Sequence, residues 1–335
     1  MINCVGNDGT ANSSPLVSIG LPVFNGEAYV GQAIESVLQQ TYPCLELIIH
    51  DNASTDGTEQ ICRSFAAQDA RVRYFRNPRN LGAAANYNLC FEQARGTYFK
   101  WTAHDDRMAP EYLAKAVAAL EAAPDAVLCT VGITEIDGVD RPLRTYANHF
   151  PGIDSASPTR RFAAAIHTRH QCEDFFGLFR RAALVGSELH GAYSGSDRVL
   201  LAEMALRGPW VSVADPLFIH REHENRYTRA ILLKDDRAAA LWQDPSQPVQ
   251  RTSPLFYSMV YREYLRLVPK NVRDTMTRLG CYGELLRWWF TDEHAIDLLR
   301  DALKRYPALE ARVRALKLRL VGASGTRPGS LPELK

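Results

Sequence analysis

Short runs rich in β-branched and aromatic residues alternate with amphipathic helical patterns from residue 16 onward, and this alternation constrains the fold most strongly. Residues 16–23 and 45–50 are two such β-rich runs, and residues 27–39 between them carry apolar side chains near a 3.6-residue period. Strands that alternate with helices in this order form parallel sheets with helices on both faces. We therefore predict an α/β fold with a doubly wound, mainly parallel sheet flanked by helices.

The second half of the chain keeps this alternation only in part. Residues 98–102 and 126–136 are predicted strands, whereas residues 140–158 contain three prolines and interrupt the pattern. Proline and glycine at this density favour a loop, and long loops often cover substrates. We therefore predict a mobile loop over the sheet edge, followed by short strands at 211–213 and 217–220.

The C-terminal third has a helical pattern. Residues 254–320 are predicted to be helical, with breaks at Pro269, Gly280 and Pro307, because proline and glycine interrupt helices. Residues 299–320 carry seven Lys or Arg and two acidic residues, a balance that favours contact with an anionic membrane face. A packed helix with a solvated charged face is the alternative.

The overall charge gives no reason to expect bulk nucleic-acid binding, because 39 Lys and Arg stand against 38 Asp and Glu for a net charge of +1. The longest apolar runs fall far short of the roughly 18 residues that a membrane span needs. Residues 1–14 are polar and lack the basic start and apolar stretch of a secretory signal. We expect them to form a cytoplasmic, disordered leader.

Polar and acidic residues follow the predicted strands. Asp51 follows the second strand, and His104, Asp105 and Asp106 follow the strand at 98–102. Ligands of doubly wound sheets bind at the carboxyl ends of the strands. Several carboxylates at one sheet edge repel each other unless a cation lies among them, and Mg²⁺ takes one or two carboxylates together with phosphate oxygens. The glycine patterns of dinucleotide-binding and phosphate-binding loops are absent from the sequence.

Five segments together resemble the N-terminal half of the family 2 glycosyltransferases; they are residues 17–25, 34–42, 51–58, 77–88 and 94–98. The resemblance is strong over 16–119 and looser over 176–223. It implies the GT-A fold, inversion at the anomeric carbon, a divalent metal (Mn or Mg) and a UDP-, dTDP- or GDP-sugar donor.

The resemblance also implies donor contacts. Asp51 matches the acid that contacts the nucleotide base, while the first nucleotide loop corresponds to Pro22, Phe24, Asn25 and Glu27. Asn52 and Asn80 are further predicted donor contacts, with turn formation and packing as the alternative for Asn80.

Asp105 and Asp106 match the family's metal motif, although Ala103 replaces the usual acid two positions before Asp105. We assign Asp106 to the metal and Asp105 to the ribose or the metal. Because Ala103 replaces the family's acid, which of the two carboxylates binds which group stays open. A later matching segment makes His223 a predicted third metal ligand and Arg221 a predicted phosphate clamp. A structural histidine is the alternative for His223.

Asp197 resembles the family's catalytic base and would deprotonate the acceptor hydroxyl. A position at the start of a helix favours the ionised carboxylate that a base needs. The alternative bases are Glu173, Asp174 and Glu203.

These expectations define a domain plan. Residues 15–225 form the predicted GT-A domain, with a nucleotide-binding half at 15–138 and an acceptor and catalytic-base half at 139–225. A helical extension at 226–321 and a flexible tail at 322–335 follow.

The predicted function is sugar transfer to a glycan or lipid-linked acceptor in cell-surface polysaccharide, lipopolysaccharide or glycolipid assembly. It includes peripheral contact of the C-terminal helices with the cytoplasmic face of the membrane, and it leaves oligomerisation open. The alternatives are a non-catalytic nucleotide-sugar or glycan-binding module and a sugar-phosphate nucleotidyltransferase.

Overall fold

The computed structural model describes residues 14–224, 226, 256–291 and 294–304. Nine strands alternate with helices along the first two thirds of the chain. The strands are β1 (Val17–Val23), β2 (Leu45–Asp51), β3 (Val72–Arg76), β4 (Tyr98–Trp101), β5 (Arg107–Met108), β6 (Leu128–Asp137), β7 (Pro142–Tyr146), β8 (Leu178–Arg180) and β9 (Trp210–Glu222).

Ten α-helices lie within the described ranges. They are α1 (Val30–Leu38), α2 (Thr58–Gln68), α3 (Ala83–Glu92), α4 (Tyr112–Ala122), α5 (Pro158–His167), α6 (Arg181–Leu184), α7 (Ser196–Arg207), α8 (Phe256–Asn271), α9 (Thr275–Trp288) and α10 (His294–Lys304). A 3₁₀ turn, Glu173–Phe176, precedes β8. No described helix is both long enough and apolar enough to cross a bilayer.

All the strands join one sheet in the order β3-β2-β1-β4-β8-β6-β9-β5, with β7 beside β6. The pairs among β3, β2, β1 and β4 are parallel, as is the long β6–β9 pair. Every residue of β1 and β2 is buried, as expected for strands that are covered on both faces. The predicted α/β class with a helical C-terminal extension is confirmed.

The predicted loop at 140–158 is wrong in part. Its first residues form β7, which pairs antiparallel with β6, and its last residue starts α5 after the cap Ser157. Pro142 is tolerated because it is the first residue of a strand that pairs on one side. The predicted strands at 211–213 and 217–220 are one strand, β9, whose register against β6 shifts near Gly132.

Two predicted helix breaks are also wrong. Pro269 lies inside the last turn of α8, and Gly280 lies in the middle of α9. A Cβ at Gly280 would lie 3.0 Å from the hydroxyl oxygen of Thr159, so this glycine allows close packing against α5. The chain breaks instead before Asp274, whose carboxylate caps α9 by accepting from the Thr277 N–H at 2.7 Å. Pro307, residues 1–13 and the tail at 322–335 lie outside the described residues.

Candidate active site

The loops that follow β1, β2 and β4 meet at one edge of the sheet. Val23 is in register with Asp51, and the Asn52 N–H donates to the Val23 carbonyl at 2.8 Å. The loop after β1 also touches the loop after β4, because a Cβ at Gly26 would lie 2.6 Å from the His104 ring. The parallel register therefore gathers the predicted strand-end residues of these three loops, as expected for a doubly wound sheet.

The first two loops are joined by hydrogen bonds. Asn25 Oδ1 accepts from the Thr55 N–H at 2.8 Å, and the Asn25 N–H donates to Ser54 Oγ at 2.9 Å. Glu27 Oε2 accepts from the Gly57 N–H at 2.6 Å, at the start of α2. The side chains of Asn25 and Glu27, predicted as donor contacts, thus hold the loops to each other.

The other two predicted contacts of the first loop differ in exposure. Pro22 is buried within β1, whereas Phe24 is 41% exposed. Phe24 therefore presents the accessible ring of this loop to the sheet edge.

Asp51 is completely buried and has three hydrogen-bond partners. Its Oδ1 accepts from the Ser54 N–H at 2.8 Å, and its Oδ2 accepts from the Tyr74 hydroxyl and the Arg76 guanidinium, both at 2.7 Å. Burial, together with the Asp51 charge, raises the pKa of Tyr74. Asp51 therefore anchors β3 to the second loop, and Arg76, with 31% of its side chain exposed, is the more accessible charge.

Asn52 and Asn80 form an amide network. Asn52 Nδ2 donates to Asn80 Oδ1 at 2.8 Å, and Asn52 Oδ1 accepts from the Leu81 N–H at 2.9 Å. Asn80 Oδ1 also accepts from the Gly82 N–H, in the turn that precedes α3. This network shapes the turn, in line with the packing alternative for Asn80.

Asp105 and His223 face each other across the sheet edge. Asp105 Oδ2 lies 2.9 Å from His223 Nε2, and both side chains are nearly buried. Burial alone would raise the pKa of the Asp105 carboxyl, but the neighbouring His104, His223 and Arg226 lower it below its usual value. The carboxylate form of Asp105 is therefore strongly favoured.

Asp106 points elsewhere. Its Oδ1 accepts from the backbone N–H of Arg221 at 2.9 Å and lies 3.3 Å from His220 Nδ1. Burial opposes protonation of His220, yet the charge of Asp106 prevails and raises the pKa of His220. Asp106 thus fixes the end of β9, the strand that leads to His223.

Arg221 is only 1% exposed, and its guanidinium is surrounded by acceptors of the protein itself. It donates to the Asp105 carbonyl at 3.0 Å and to Gln32 Oε1 at 2.8 Å, and it lies 2.7 Å from Asp140 Oδ1. It also packs over the ring of Tyr29. These contacts hold the backbone of Asp105 in place and leave little of the guanidinium free for a phosphate.

Among the described residues, no group of three or more His, Cys, Asp or Glu side chains is arranged to hold a metal ion. The predicted ligands are divided, since Asp105 faces His223 while Asp106 faces His220. A carboxylate oxygen and an imidazole nitrogen 2.9 Å apart fit a Mn²⁺ or Mg²⁺ ion that takes its other ligands from phosphates and water.

Asp197 lies in the first turn of α7 and is partly exposed. Its Oδ1 accepts from the N–H of the next residue, Arg198, at 2.8 Å. The preceding Gly195 has φ of +87°, and a Cβ there would lie 2.7 Å from the Phe256 ring, so glycine is required at this turn. The turn directs the chain into α7 with Asp197 at its accessible end.

The carboxylates of the alternative bases are buried and bound to neighbouring side chains. Glu203 is fully buried, and its carboxylate contacts Arg207 at 2.7 Å. Glu173 accepts from the Tyr146 hydroxyl and Asp174 from Asn148, and both acids are at most 5% exposed. Burial raises the pKa of Asp174 to about 7.

Tyr87 on α3 lies close to the turn that carries Asp197. Its ring centroid is 5.0 Å from that of His190, and His190 Nδ1 lies 3.1 Å from the hydroxyl of Ser196, the residue before Asp197. Burial, and after it the charges of nearby acids, raises the pKa of Tyr87.

Sequence reasoning missed Tyr74, Arg76, Tyr87 and His220. An aromatic residue and an arginine at the end of the β-rich run that became β3 are the signal that could have found the first two.

Comparison with known proteins agrees with this geometry. The sheet and its flanking helices have the fold of GT-A glycosyltransferases. S. aureus TarS 1-349 in complex with UDP-GlcNAc has a TM-score of 0.58 at 16% identity, with 91% of this chain and 85% of that chain covered. Mannosyltransferase PcManGT from Pyrobaculum calidifontis, in complex with GDP-Man and Mn²⁺, has a TM-score of 0.56 at 16% identity, with 95% and 78% covered.

The sequence identifies the family. Residues 18–184 match the family described as Glycosyl transferase family 2. The putative teichuronic acid biosynthesis glycosyltransferase TuaG of Bacillus subtilis is 36% identical over 31% of this chain and 41% of TuaG. The chain belongs to the family 2 glycosyltransferases. It spans about two fifths of the length of curated relatives that it matches, 40% in two of them.

Proposed function

We propose that this protein is an inverting glycosyltransferase that moves a sugar from a nucleotide-diphosphate donor to an acceptor hydroxyl. The observation that carries the proposal is the pairing of Asp105 with His223 at the edge where the loops after β1, β2 and β4 meet. The donor diphosphate would bind at this pair, and the acceptor hydroxyl at Asp197 in the first turn of α7. A non-catalytic module and a nucleotidyltransferase are less favoured, because both leave Asp197 without a role.

In this proposal Asp105 and His223 hold the divalent metal. A bound Mn²⁺ or Mg²⁺ ion supplies positive charge that stabilises the leaving diphosphate. Asp106, which the sequence motif assigned to the metal, instead positions the strand end through the Arg221 N–H. Arg221 in turn orients the Asp105 backbone, in place of the predicted phosphate clamp.

Asp197 is the proposed base. It takes the proton of the acceptor hydroxyl as that oxygen attacks the anomeric carbon from the face opposite the leaving diphosphate, which inverts the configuration. It lies in the first turn of α7, where the partial positive charge of the helix N-terminus interacts favourably with a carboxylate. Glu203 is the weakest alternative base, because its carboxylate is buried against Arg207.

The donor is proposed to be a UDP-, dTDP- or GDP-sugar, and the solved relatives with UDP-GlcNAc and with GDP-Man support this range. The acceptor is proposed to be a glycan or a lipid-linked glycan of the cell surface, which the similarity to TuaG supports. The division into a donor half at 15–138 and an acceptor half at 139–225, the cytoplasmic location and the oligomeric state stay predictions.

A thermal-shift screen with UDP-, dTDP- and GDP-sugars, with and without Mn²⁺, tests the donor site. A ligand that binds only the folded protein raises the melting temperature by mass action. We expect one nucleotide class to raise it, and to do so only with Mn²⁺. The effect should be lost in Asp105→Ala. A shift that persists in Asp105→Ala would contradict the metal assignment.

Asp197→Asn tests the base. The variant should keep the donor-induced thermal shift and lose transfer by about 10²-fold or more, since general-base catalysis typically contributes that much. Asp215→Asn is the matched control, because Asp215 is an exposed carboxylate paired with Lys115 at 2.8 Å. Full activity of Asp197→Asn, or equal losses in both variants, would refute the assignment.

A further inference from the structure

An unusual amount of apolar surface is exposed on the C-terminal helices. Within the described residues, nine of the thirteen exposed large apolar side chains lie on or beside α8, α9 and α10. Six of them form what we call the outer face of α9: Met276, Leu279, Tyr282, Leu286, Trp289 and Phe290. Phe290 is 81% exposed and Met276 74%. Patches of this kind on soluble proteins mark interaction sites.

The opposite side of α9 is apolar as well. Cys281, Leu285 and Trp288 are buried in the core that α9 shares with α5 and α8. A surface helix normally carries polar residues opposite its buried side, whereas α9 exposes these apolar side chains there, beside polar ones such as Arg287. The outer face of α9 is therefore a candidate docking surface.

Charge indicates which partner. Arg278 and Arg287 adjoin the outer face in sequence. The Arg287 side chain is 66% exposed and lies 3.5 Å from Glu284, whereas Arg278 donates to the carbonyls of Val272 and Pro269. Residues 291–298 carry a net charge of −3 and residues 299–320 a net charge of +5, so that residues 278–320 together carry +3, whereas the whole chain carries +1. A second copy of this protein would bring the same basic stretch and repel it, whereas anionic headgroups complement it.

We propose that the outer face of α9 docks onto an anionic lipid surface, with Trp289 and Phe290 entering the headgroup region and arginines contacting the phosphates. Aromatic and aliphatic side chains beside basic ones are the features of helices that lie in the membrane interface. The proposal goes beyond the transferase activity, since lipid binding needs neither donor nor acceptor.

Helix α8 contacts both the outer face of α9 and the turn of the candidate base. The Phe256 ring of α8 packs against Gly195, two residues before Asp197, and the Tyr261 ring of the same helix lies 5.6 Å from the Trp289 ring. The proposed docking surface and the turn that carries Asp197 therefore adjoin one helix.

Vesicle co-sedimentation of the full chain tests the proposal. The protein should bind vesicles of phosphatidylcholine with phosphatidylglycerol, bind pure phosphatidylcholine more weakly, and dissociate as salt rises. Leu286→Ser with Phe290→Ser should weaken binding by about tenfold or more, because two large side chains no longer leave water. The matched control is Leu143→Ser with Val185→Ser, which changes side chains that are 53% and 57% exposed elsewhere.

Three results would overturn the proposal. The first is no binding of the unchanged protein to the anionic vesicles, and the second is equal binding by both double variants. The third is that the unchanged protein forms a dimer, does not bind vesicles, and becomes monomeric in Leu286→Ser with Phe290→Ser. The last result would mean that a second copy covers the face. Thermal unfolding of both variants checks that they fold, and donor-induced thermal shifts measured separately distinguish a failure here from a failure of the proposed transferase.

Discussion

The loops at the acidic sheet edge and the turn that carries Asp197 are held in opposite ways. The loops after β1 and β2 are joined through Asn25 and Glu27, and Arg221 ties the loop after β4 to α1 and to the turn between β6 and β7. The Asp197 carboxylate, in contrast, accepts from the N–H of its own neighbour and is partly exposed. A preorganised edge suits a donor whose diphosphate must be placed accurately, whereas an accessible carboxylate suits a base that must reach an incoming hydroxyl.

The substitution with the largest expected effect on this contrast is Arg221→Met. Methionine fills a similar volume but leaves Gln32 Oε1 and the Asp105 carbonyl without their donor in a buried site. Removing one member of a buried charged network typically costs about 3–5 kcal/mol of unfolding free energy. We expect a loss near the lower end of that range, because Asp140 is 42% exposed. Urea unfolding measures it.

Arg107→Met is the control for that experiment. Arg107 binds the same Asp140 oxygen at 3.0 Å, but 28% of its side chain is exposed. An ion pair with exposed partners contributes about 0–1 kcal/mol. Equal losses in the two variants would mean that Arg221 acts only as the partner of Asp140 and does not organise the edge.

The sequence was informative where a local pattern determines the result. The strands β1 and β2 and the positions of Asp51, Asp105 and Asp197 follow from hydrophobic periodicity and from motifs within short segments. The partners of these residues do not, because the contact between Arg221 and Gln32 joins positions 189 residues apart. No periodicity reports such a contact.

The same limit applies to Asp51, whose contact with the nucleotide base stays a prediction. Its partners Tyr74 and Arg76 lie 23 and 25 residues away, and no local pattern reports them. The local propensities of Pro269 and Gly280 predicted helix breaks that tertiary packing overrides, since α8 and α9 each bury one side in the core.

The pH dependence of the unfolding free energy tests Asp174, one of the alternative bases. The pKa of Asp174 is raised from 3.8 to about 7, so between these values the folded state binds more protons than the unfolded state. The contribution of Asp174 is therefore full below about pH 4 and is lost as the pH rises to 7, at up to about 1.4 kcal/mol per pH unit. Asp174→Asn should remove this slope.

Urea unfolding at several pH values between 4 and 7 measures the effect. Asp154→Asn, which changes an exposed carboxylate before α5, should leave the slope in place. An unchanged slope in Asp174→Asn would show that Asp174 titrates as an ordinary acid, and it would strengthen Asp174 as an alternative to Asp197 because the carboxyl would then be ionised at neutral pH.

The smallest expected effect comes from substitutions of Asn25. They separate the contribution of its backbone conformation to the rigidity of the first loop from that of its side-chain hydrogen bond. Asn25 has φ of +50°, which disfavours most side chains, and its Oδ1 accepts from the Thr55 N–H. Asn25→Gly keeps the backbone conformation accessible and loses the hydrogen bond, which should cost about 1 kcal/mol. Asn25→Ala loses the bond and adds backbone strain, for about 2 kcal/mol. Both variants should bind the donor less tightly than the unchanged protein, and Asn25→Ala less tightly than Asn25→Gly. The concentration of nucleotide-sugar that gives half the maximal thermal shift measures this affinity. If both variants bound the donor as tightly as the unchanged protein, the junction between the first two loops would be irrelevant to donor binding. The contrast with Asp197 would then rest on the loop after β4 alone.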